Sequence, residues 1–193
     1  FGVIGFCDDI LKLKTGSGLT AREKFIYQMI ISLGIGAYLL YLEPSRGDYA
    51  TKLYVPFFKD FQPDLGWGYL ILIICTIVGT SNAVNLTDGL DGLAIGPVII
   101  ATLTFTSIVY LCGHFNFAEY LKIQHIKGAS ELAVLSSAVV GASLGFLWFN
   151  AYPAQIFMGD VGSLSLGGTL GTIAAVSKHE LLLLLVGGIF VIE

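Results

Sequence analysis

Long apolar runs alternate with short polar segments along this chain, and the runs have the length of membrane-spanning helices. A spanning helix needs about 20 mainly apolar residues. Four runs come close to this length, at residues 25–42, 66–84, 93–112 and 132–149, and a shorter, glycine-rich run follows at 164–176. The pattern predicts an all-α polytopic integral membrane protein with about five complete transmembrane helices.

Apolar residues also occupy both ends of the chain. Residues 1–6 have the pattern of a span already under way, and residues 181–192 begin another that stops at Glu193. The first residue is Phe1 rather than Met, and no signal-peptide pattern follows it. We expect truncated spans at both ends, and a single transmembrane domain at 1–193 that belongs to a longer protein with further spans before and after it.

Three acidic clusters interrupt the apolar pattern. They contain Asp8 and Asp9, then Asp88 and Asp91, then Asp160. Two predicted spans separate each cluster from the next, so parity returns all five aspartates to the same membrane face. Charge at the edge of a membrane is costly and usually functional. The alternative for residues 85–92 is a solvated turn in which glycines end the helices.

Composition agrees with a membrane protein and narrows the chemistry. Of the 193 residues, 55% are hydrophobic and 12% are charged, whereas a soluble domain has about 25% charged residues. The net charge of −4 offers no argument for nucleic-acid binding. The three cysteines and three histidines are widely separated, which predicts neither a disulfide framework nor a metal site built from these residues.

The basic residues predict which face carries the aspartates. The short segment 10–24 contains Lys12, Lys14, Arg22 and Lys24, whereas the longer segment 43–65 contains Arg46, Lys52 and Lys59. Because short cytoplasmic loops are enriched in Lys and Arg, the aspartates are expected on the cytoplasmic side. On the opposite side, residues 52–59 predict a small extracytoplasmic hairpin.

A basic helix start lies near the first acidic cluster. Thr20 and Glu23 have the spacing of a capping box, so a helix should begin after Thr20. Lys24 then lies in the first turn, where the helix dipole disfavours a cation. Either this lysine belongs to a phosphate-binding patch at the helix N-terminus, or it is a plain cytoplasmic anchor of the span.

The residue types in the acidic clusters suit metal-assisted phosphoryl transfer at a membrane surface. Asn85, Asp88 and Asp91 are spaced i, i+3, i+6, which on a helix would place them along one face. Mg²⁺ binds one or two carboxylates and leaves positions for water and substrate phosphates. Such an ion would neutralise a pyrophosphate, while a carboxylate free of metal could position or deprotonate the acceptor.

Three motifs carry a resemblance to a known family. They are Gly5-Phe-Cys-Asp-Asp9, Asn82-Ala-Val-Asn-Leu-Thr-Asp-Gly-Leu-Asp-Gly-Leu93 and Phe157-Met-Gly-Asp-Val-Gly-Ser163. They resemble the motifs of the polyprenyl-phosphate N-acetylhexosamine-1-phosphate transferases, which are of glycosyltransferase family 4 type. Segments 21–24 and 55–59 are similar to the branch of that family whose donor is UDP-MurNAc-pentapeptide. The resemblance extends over the whole chain.

The resemblance implies an activity, a cofactor and partners. The enzyme would transfer phospho-MurNAc-pentapeptide from UDP-MurNAc-pentapeptide to undecaprenyl phosphate, giving lipid I and UMP, with Mg²⁺ as cofactor. This reaction is the first membrane step of peptidoglycan synthesis. It would take place in the bacterial inner membrane, in a homodimer whose sites face the cytoplasm. The nearest alternative is the sister branch, which transfers GlcNAc-1-phosphate from UDP-GlcNAc.

The resemblance also assigns roles by position. Asp160 matches the Mg²⁺ ligand, Asp8 matches the proposed base for the lipid phosphate, and Asp9 lies beside it as a further catalytic candidate. The positions that match substrate-binding residues are Lys24, Asn85, Asp88, Asp91, Asn150 and Phe157. The family's histidine-rich motif in the last cytoplasmic loop has no counterpart up to Glu193. Residues 1–193 are therefore expected to form a catalytic domain that is inactive on its own.

Other classes fit the sequence less well. An ion-coupled transporter would place its carboxylates near the bilayer midplane, whereas these lie at the ends of predicted spans. An intramembrane aspartyl protease would need two aspartates inside spans. A CDP-alcohol phosphotransferase would need Ala-Arg shortly after Gly92, where this chain has Leu93 and Ala94.

Overall fold

The computed structural model of the chain describes residues 1–42, 47–58, 61–188 and 190. Within these residues the protein is helical. The α-helices are α1 (Gly2–Thr15), α2 (Ala21–Ala37), α3 (Gly68–Thr87), α4 (Ile95–Gly113), α5 (Phe115–Leu121), α6 (Glu131–Asn150), α7 (Gly159–Val176) and α8 (Glu180–Val186). A π-helical turn, Tyr38–Leu42, extends α2. The prediction of an all-α polytopic membrane protein is confirmed.

Four helices are long and apolar enough to cross a membrane. They are Ala21–Leu42, Gly68–Thr87, Ile95–Gly113 and Glu131–Asn150, and they correspond to the first four predicted runs. The first begins four residues before its apolar run because the predicted capping box forms. The Thr20 hydroxyl accepts from the Glu23 backbone N–H, and the Glu23 carboxylate accepts from the Thr20 N–H at 2.8 Å. This brings Lys24 into the first turn of α2.

The fifth predicted run lies in α7, which is the central helix of the bundle. It packs against α1, α3 and α4. Its glycines meet the α3 backbone directly: a Cβ added at Gly167 would lie 2.6 Å from the Thr80 carbonyl oxygen, and one at Gly171 would lie 2.8 Å from Ile77 Cα. A helix enclosed by other helices needs small residues for close approach more than it needs lipid-facing apolar ones. This explains why the apolar run of α7 is short.

The predicted hairpin between the first two spans is reduced to one isolated antiparallel bridge, between Lys52 and Asp64. Leu53 N–H donates to the Pro63 carbonyl at 2.9 Å, but no strand forms in the described part of this segment. Proline has no N–H to donate to a ladder, and Pro56 and Pro63 both lie here. Two of the basic residues counted above, Arg46 and Lys59, lie outside the described residues.

The helices at the two ends of the chain have different bounds from the truncated spans that the sequence predicted. Helix α1 does not stop at residue 6; it runs through Asp8 and Asp9 to Thr15. The last apolar run, 181–192, contains α8 as far as Val186, and residues 189 and 191–193 of it lie outside the described residues.

A buried polar cluster that the sequence did not predict lies at the bundle end opposite the aspartates. The Lys178 ammonium is fully buried, donates to the carbonyls of Ala50 and Lys52 at 2.6 and 3.0 Å, and lies 3.5 Å from the centre of the Tyr69 ring. The Tyr69 hydroxyl donates to Glu180. These contacts attach the segment around residues 50–52 to the helix ends, so this end of the bundle is fixed by hydrogen bonds.

The glycine packing of α7 gives a stability prediction. Gly167→Ala should lower the free energy of unfolding by about 1–3 kcal/mol because its methyl group meets α3 backbone that cannot rotate away. Gly141→Ala is the matched control, since a Cβ there has open space, and it should be neutral or stabilising because alanine favours a helix. Thermal unfolding in detergent measures both. Equal midpoints for the two variants would contradict the packing account.

Candidate active site

Four helix ends converge on the carboxylate of Asp160. This residue lies in the first turn of α7. On one side, its Oδ2 is 2.8 Å from Lys24 Nζ, at the start of α2, and 3.3 Å from Lys12 Nζ, near the end of α1. On the other side, its Oδ1 accepts from Asn85 Nδ2, in the last turns of α3, at 3.0 Å. One side chain therefore joins two halves of the site.

The first half is a cluster of three carboxylates and two lysines, which we call the carboxylate–lysine cluster: Asp8, Asp9, Asp160, Lys12 and Lys24. Within it, Asp8 has no exposed surface. Its Oδ2 lies 2.5 Å from the Lys12 ammonium and 3.3 Å from the Lys24 ammonium, and its Oδ1 accepts from the Leu19 N–H at 2.6 Å. A buried carboxylate is tolerated when it is paired and hydrogen-bonded in this way.

The connection between α1 and α2 closes over Asp8. The connection can lie this close to Asp8 because residue 18 is glycine. A Cβ at Gly18 would collide with the Asp8 carboxylate. Asp9 instead points to α7: its Oδ2 accepts from the backbone N–H of Val161, at the start of that helix, at 3.3 Å. The adjacent aspartates thus bind two different helix ends.

Lys12 was not predicted as a site residue, yet it touches all three carboxylates. Its Nζ lies 2.5 Å from Asp8, 3.3 Å from Asp160 and 3.5 Å from Asp9. The hydrogen bond to Asp8, together with the nearby Asp160 charge, raises the pKa of Lys12 even though partial burial opposes this shift. The sequence did contain a signal for this contact: Lys12 follows Asp8 by four residues, a spacing that lets the two side chains pair on one helix face.

The second half of the site is a cavity of about 280 Å³ beside Asp160. Its lining contains six of the predicted residues, which are Asn85, Asp88, Asp91, Asn150, Phe157 and Asp160. Partial burial raises the pKa of Asp88, and the neighbouring Asp160 charge raises it further. Phe157 is 73% exposed and offers a free aromatic face beside the opening. The five aspartates therefore gather at one end of the bundle, as parity predicted.

The prediction that Asn85, Asp88 and Asp91 share a helix face is wrong. Helix α3 ends at Thr87, Asp88 is its C-cap, and Asp91 lies in the following turn. The Gly89 N–H donates to the Thr87 carbonyl at 2.8 Å, which belongs to a tight turn. Glycine is a poor helix former. All three residues nevertheless line the same cavity, because the turn after α3, rather than a shared helix face, brings them together.

Two of the lining residues also hold the cavity walls. The Asn150 amide accepts from the Gly92 N–H at 3.1 Å and donates to the Ile156 carbonyl at 2.9 Å. Asp91 Oδ2 accepts from the Ala154 N–H at 2.9 Å. Asn150 is almost fully buried. These hydrogen bonds connect the turn after α3 to the segment before α7, so they set the shape of the cavity.

The carboxylate–lysine cluster has a donor set that fits a hard divalent cation. One oxygen from each of Asp8, Asp9 and Asp160 lies within 4.8 Å of the others. Carboxylate oxygens are the ligands that Mg²⁺ prefers. The Lys12 and Lys24 ammonium groups lie in the same region and supply positive charge to the carboxylates or to a substrate phosphate.

The sequence motifs that build this site belong to a chain that matches one family. The sequence profile of glycosyl transferase family 4 matches residues 1–178, and the chain belongs to that family.

Curated relatives show which members of this family the chain resembles. The chain is 54% identical to the phospho-N-acetylmuramoyl-pentapeptide-transferase of Oleidesulfovibrio alaskensis, 55% identical to that of Nitratidesulfovibrio vulgaris strain DP4 and 53% identical to that of Citrifermentans bemidjiense. Each comparison covers 100% of this chain and 53% of the relative. The chain thus spans about half the length of the curated relatives it matches.

The raised pKa of Asp88 predicts a pH-dependent stability. A carboxyl whose pKa is higher in the folded state destabilises the fold once pH exceeds that pKa. Asp88→Asn removes this charge, so it should raise the thermal midpoint at neutral pH, and the gain should disappear as pH falls through the raised pKa.

The measurement is thermal unfolding at several pH values with a chelator present, because a bound cation would alter the charge balance. Asp91→Asn is the matched control, since its carboxylate holds the Ala154 N–H, and it should give no gain. A gain for Asp88→Asn that is independent of pH would contradict the electrostatic explanation.

Proposed function

We propose that this chain carries the catalytic core of a membrane-embedded phosphoglycosyl transferase. It moves phospho-MurNAc-pentapeptide from UDP-MurNAc-pentapeptide to undecaprenyl phosphate, and the products are lipid I and UMP. The names of the relatives support the choice of substrates. The single observation that carries the proposal is the position of Asp160, shared between the carboxylate–lysine cluster and the adjoining cavity. A transfer between two phosphates needs donor and acceptor sites that meet at one point.

The cavity is the donor side in this proposal. Phe157 would stack on the uracil base or the sugar through its exposed face. Asp88 and Asn85 face the cavity with groups able to bind the hydroxyls and amides of the nucleotide sugar. Asn150 and Asp91 act in part by holding the walls that these groups line. Lys24, between Asp160 and Asp8, would bind the pyrophosphate.

The carboxylate–lysine cluster is the acceptor and reaction side. Asp8 lies buried between two ammonium groups at the end of the bundle, and the Lys12 side chain, which is 46% exposed, is the part of the cluster that a lipid phosphate would contact first. In this proposal Asp8 accepts the proton of that phosphate, while Asp9 holds the start of α7 and with it the position of Asp160. Lys12 would neutralise charge that builds up between the two phosphates.

Mg²⁺ is the cofactor we propose, and Asp160 is the ligand we assign to it; oxygens of Asp8 and Asp9 lie within 4.8 Å of an Asp160 oxygen. When bound, such an ion neutralises the pyrophosphate and stabilises the leaving phosphate of UMP. The donor set of three carboxylates supports this assignment. The excess of Lys and Arg in segment 10–24 supports a cytoplasmic orientation in the bacterial inner membrane. The family resemblance supports a homodimer.

The proposal is tested on the full-length protein that contains this chain. Purified in detergent with undecaprenyl phosphate and Mg²⁺, it should release UMP from UDP-MurNAc-pentapeptide and not from UDP-GlcNAc. Asp160→Asn should lower turnover at least about a hundredfold because one charge that faces both phosphates is lost. A chelator should abolish turnover, and added Mg²⁺ should restore it.

Asp64→Asn is the control, an exposed carboxylate on the segment that bridges to Lys52, and it should keep turnover unchanged. UMP release from UDP-GlcNAc instead would assign the protein to the sister branch with the same chemistry. No release from either donor by folded protein would refute the transferase proposal and favour a transporter.

A further inference from the structure

An amide pair, fully buried at Gln28 and half-buried at Asn82, joins α2 and α3 below the active site. Asn82 Nδ2 donates to Gln28 Oε1 at 2.6 Å and also to the Val78 carbonyl at 2.8 Å. Gln28 has no exposed surface. Both residues lie inside the helices that are long and apolar enough to cross the membrane. The pair is therefore a polar connection in a region that is otherwise apolar.

The pair is aligned with the active-site contacts above it. Lys24 precedes Gln28 by four residues on α2, and Asn85 follows Asn82 by three residues on α3, so each couple shares a helix face. Lys24 and Asn85 both contact Asp160, at 2.8 and 3.0 Å. The two helices are thus connected twice, once through Asp160 and once directly, about one turn deeper.

The pair is not arranged for greatest stability. Gln28 Nε2 and the hydroxyl of Ser32, one turn further along α2, are buried and have no hydrogen-bond partner among the described residues. Unpaired polar groups in such a place cost free energy, and an apolar pair of similar size would avoid that cost. Buried polar pairs that persist despite this cost are best known for fixing the register of packed helices.

We propose that Gln28 is a positioning residue for the active site. Through Asn82 it sets the register of α2 against α3, and this register places the Lys24 ammonium against Asp160. The consequence for turnover rests on the function proposed above, whereas the register itself does not. The proposal therefore makes one prediction about geometry and one about catalysis, and each has its own measurement.

The geometric measurement uses a disulfide between α2 and α3. A Cβ at Gly36 would lie 3.8 Å from Ile73 Cβ, which matches the usual separation in disulfides. The Leu70 methyl group nearby is the end of a flexible side chain and can move aside. Gly36→Cys with Ile73→Cys, in full-length protein whose other cysteines are changed to alanine, should form a disulfide under mild oxidation. Gly34→Cys with Ile73→Cys is the control that should not, since a Cβ at Gly34 meets nothing within 4 Å.

Adding Gln28→Leu to the Gly36–Ile73 cysteine pair should slow disulfide formation about three- to tenfold, the range expected for loss of one hydrogen bond between membrane helices. The exchange Gln28→Asn with Asn82→Gln keeps one amide on each helix and should restore the rate. An unchanged rate with Gln28→Leu would overturn the proposal, whatever the activity of the protein.

The catalytic measurement separates positioning from stability. Gln28→Leu should lower kcat about ten- to a hundredfold, because small displacements of an active-site group have effects of this size. The KM for the UDP donor should rise by a smaller factor than kcat falls, because Lys24 remains near the pyrophosphate. The thermal midpoint should not fall, and the exchanged amide pair should restore kcat. Ser32→Ala, which removes an unpartnered hydroxyl without touching the pair, should leave kcat unchanged.

The outcomes are distinguishable. A fall in kcat that only follows a fall in the thermal midpoint would overturn the positioning role, as would a slowed disulfide with unchanged kcat. If the unmodified protein released UMP from neither donor and Gln28→Leu still slowed the disulfide, the register would stand and the proposed function would fail.

Discussion

The structure depends on the neutralisation of three carboxylates at the edge of a membrane bundle. Asp8, Asp9 and Asp160 come from two helices, and their mutual repulsion would push α1 and α7 apart. The Lys12 and Lys24 ammonium groups lie between them at 2.5–3.5 Å, and Lys24 brings in a third helix, α2. The charges that serve chemistry therefore also hold the helix ends together, so a substitution in this cluster affects geometry as well as charge.

The central helix α7 positions Asp160 in the site. Its glycines let it approach α3 backbone to backbone, which places Asp160 between the lysines and the Asn85 amide. Backbone contact leaves little room for a sliding motion. The opposite end is held differently, by Lys178 under the segment at Ala50 and Lys52. Close packing in the middle of the bundle and polar connections at both ends therefore hold the helices that line the cavity.

Several expectations drawn from the residue pattern agree with the structure, and the exceptions have physical causes. The four long apolar runs and the Thr20 capping box depend on local rules, and both are found. The predicted common helix face for Asn85, Asp88 and Asp91 does not exist, because α3 ends at Thr87 and a turn containing Gly89 follows. In the described part of residues 52–59 no strand forms, and Pro56 has no N–H to donate there.

Hydrophobic periodicity by itself determined the helical class, the main spans and the gathering of five aspartates at one end, because burial in lipid and span parity depend only on which residues are apolar. Only the tertiary structure decided that Lys12 touches all three carboxylates, that Asn150 holds the cavity walls, and that Gln28 is paired with Asn82. Those contacts join residues up to 148 positions apart, from Lys12 to Asp160. Their distances are set by helix packing, which no local pattern in the sequence encodes.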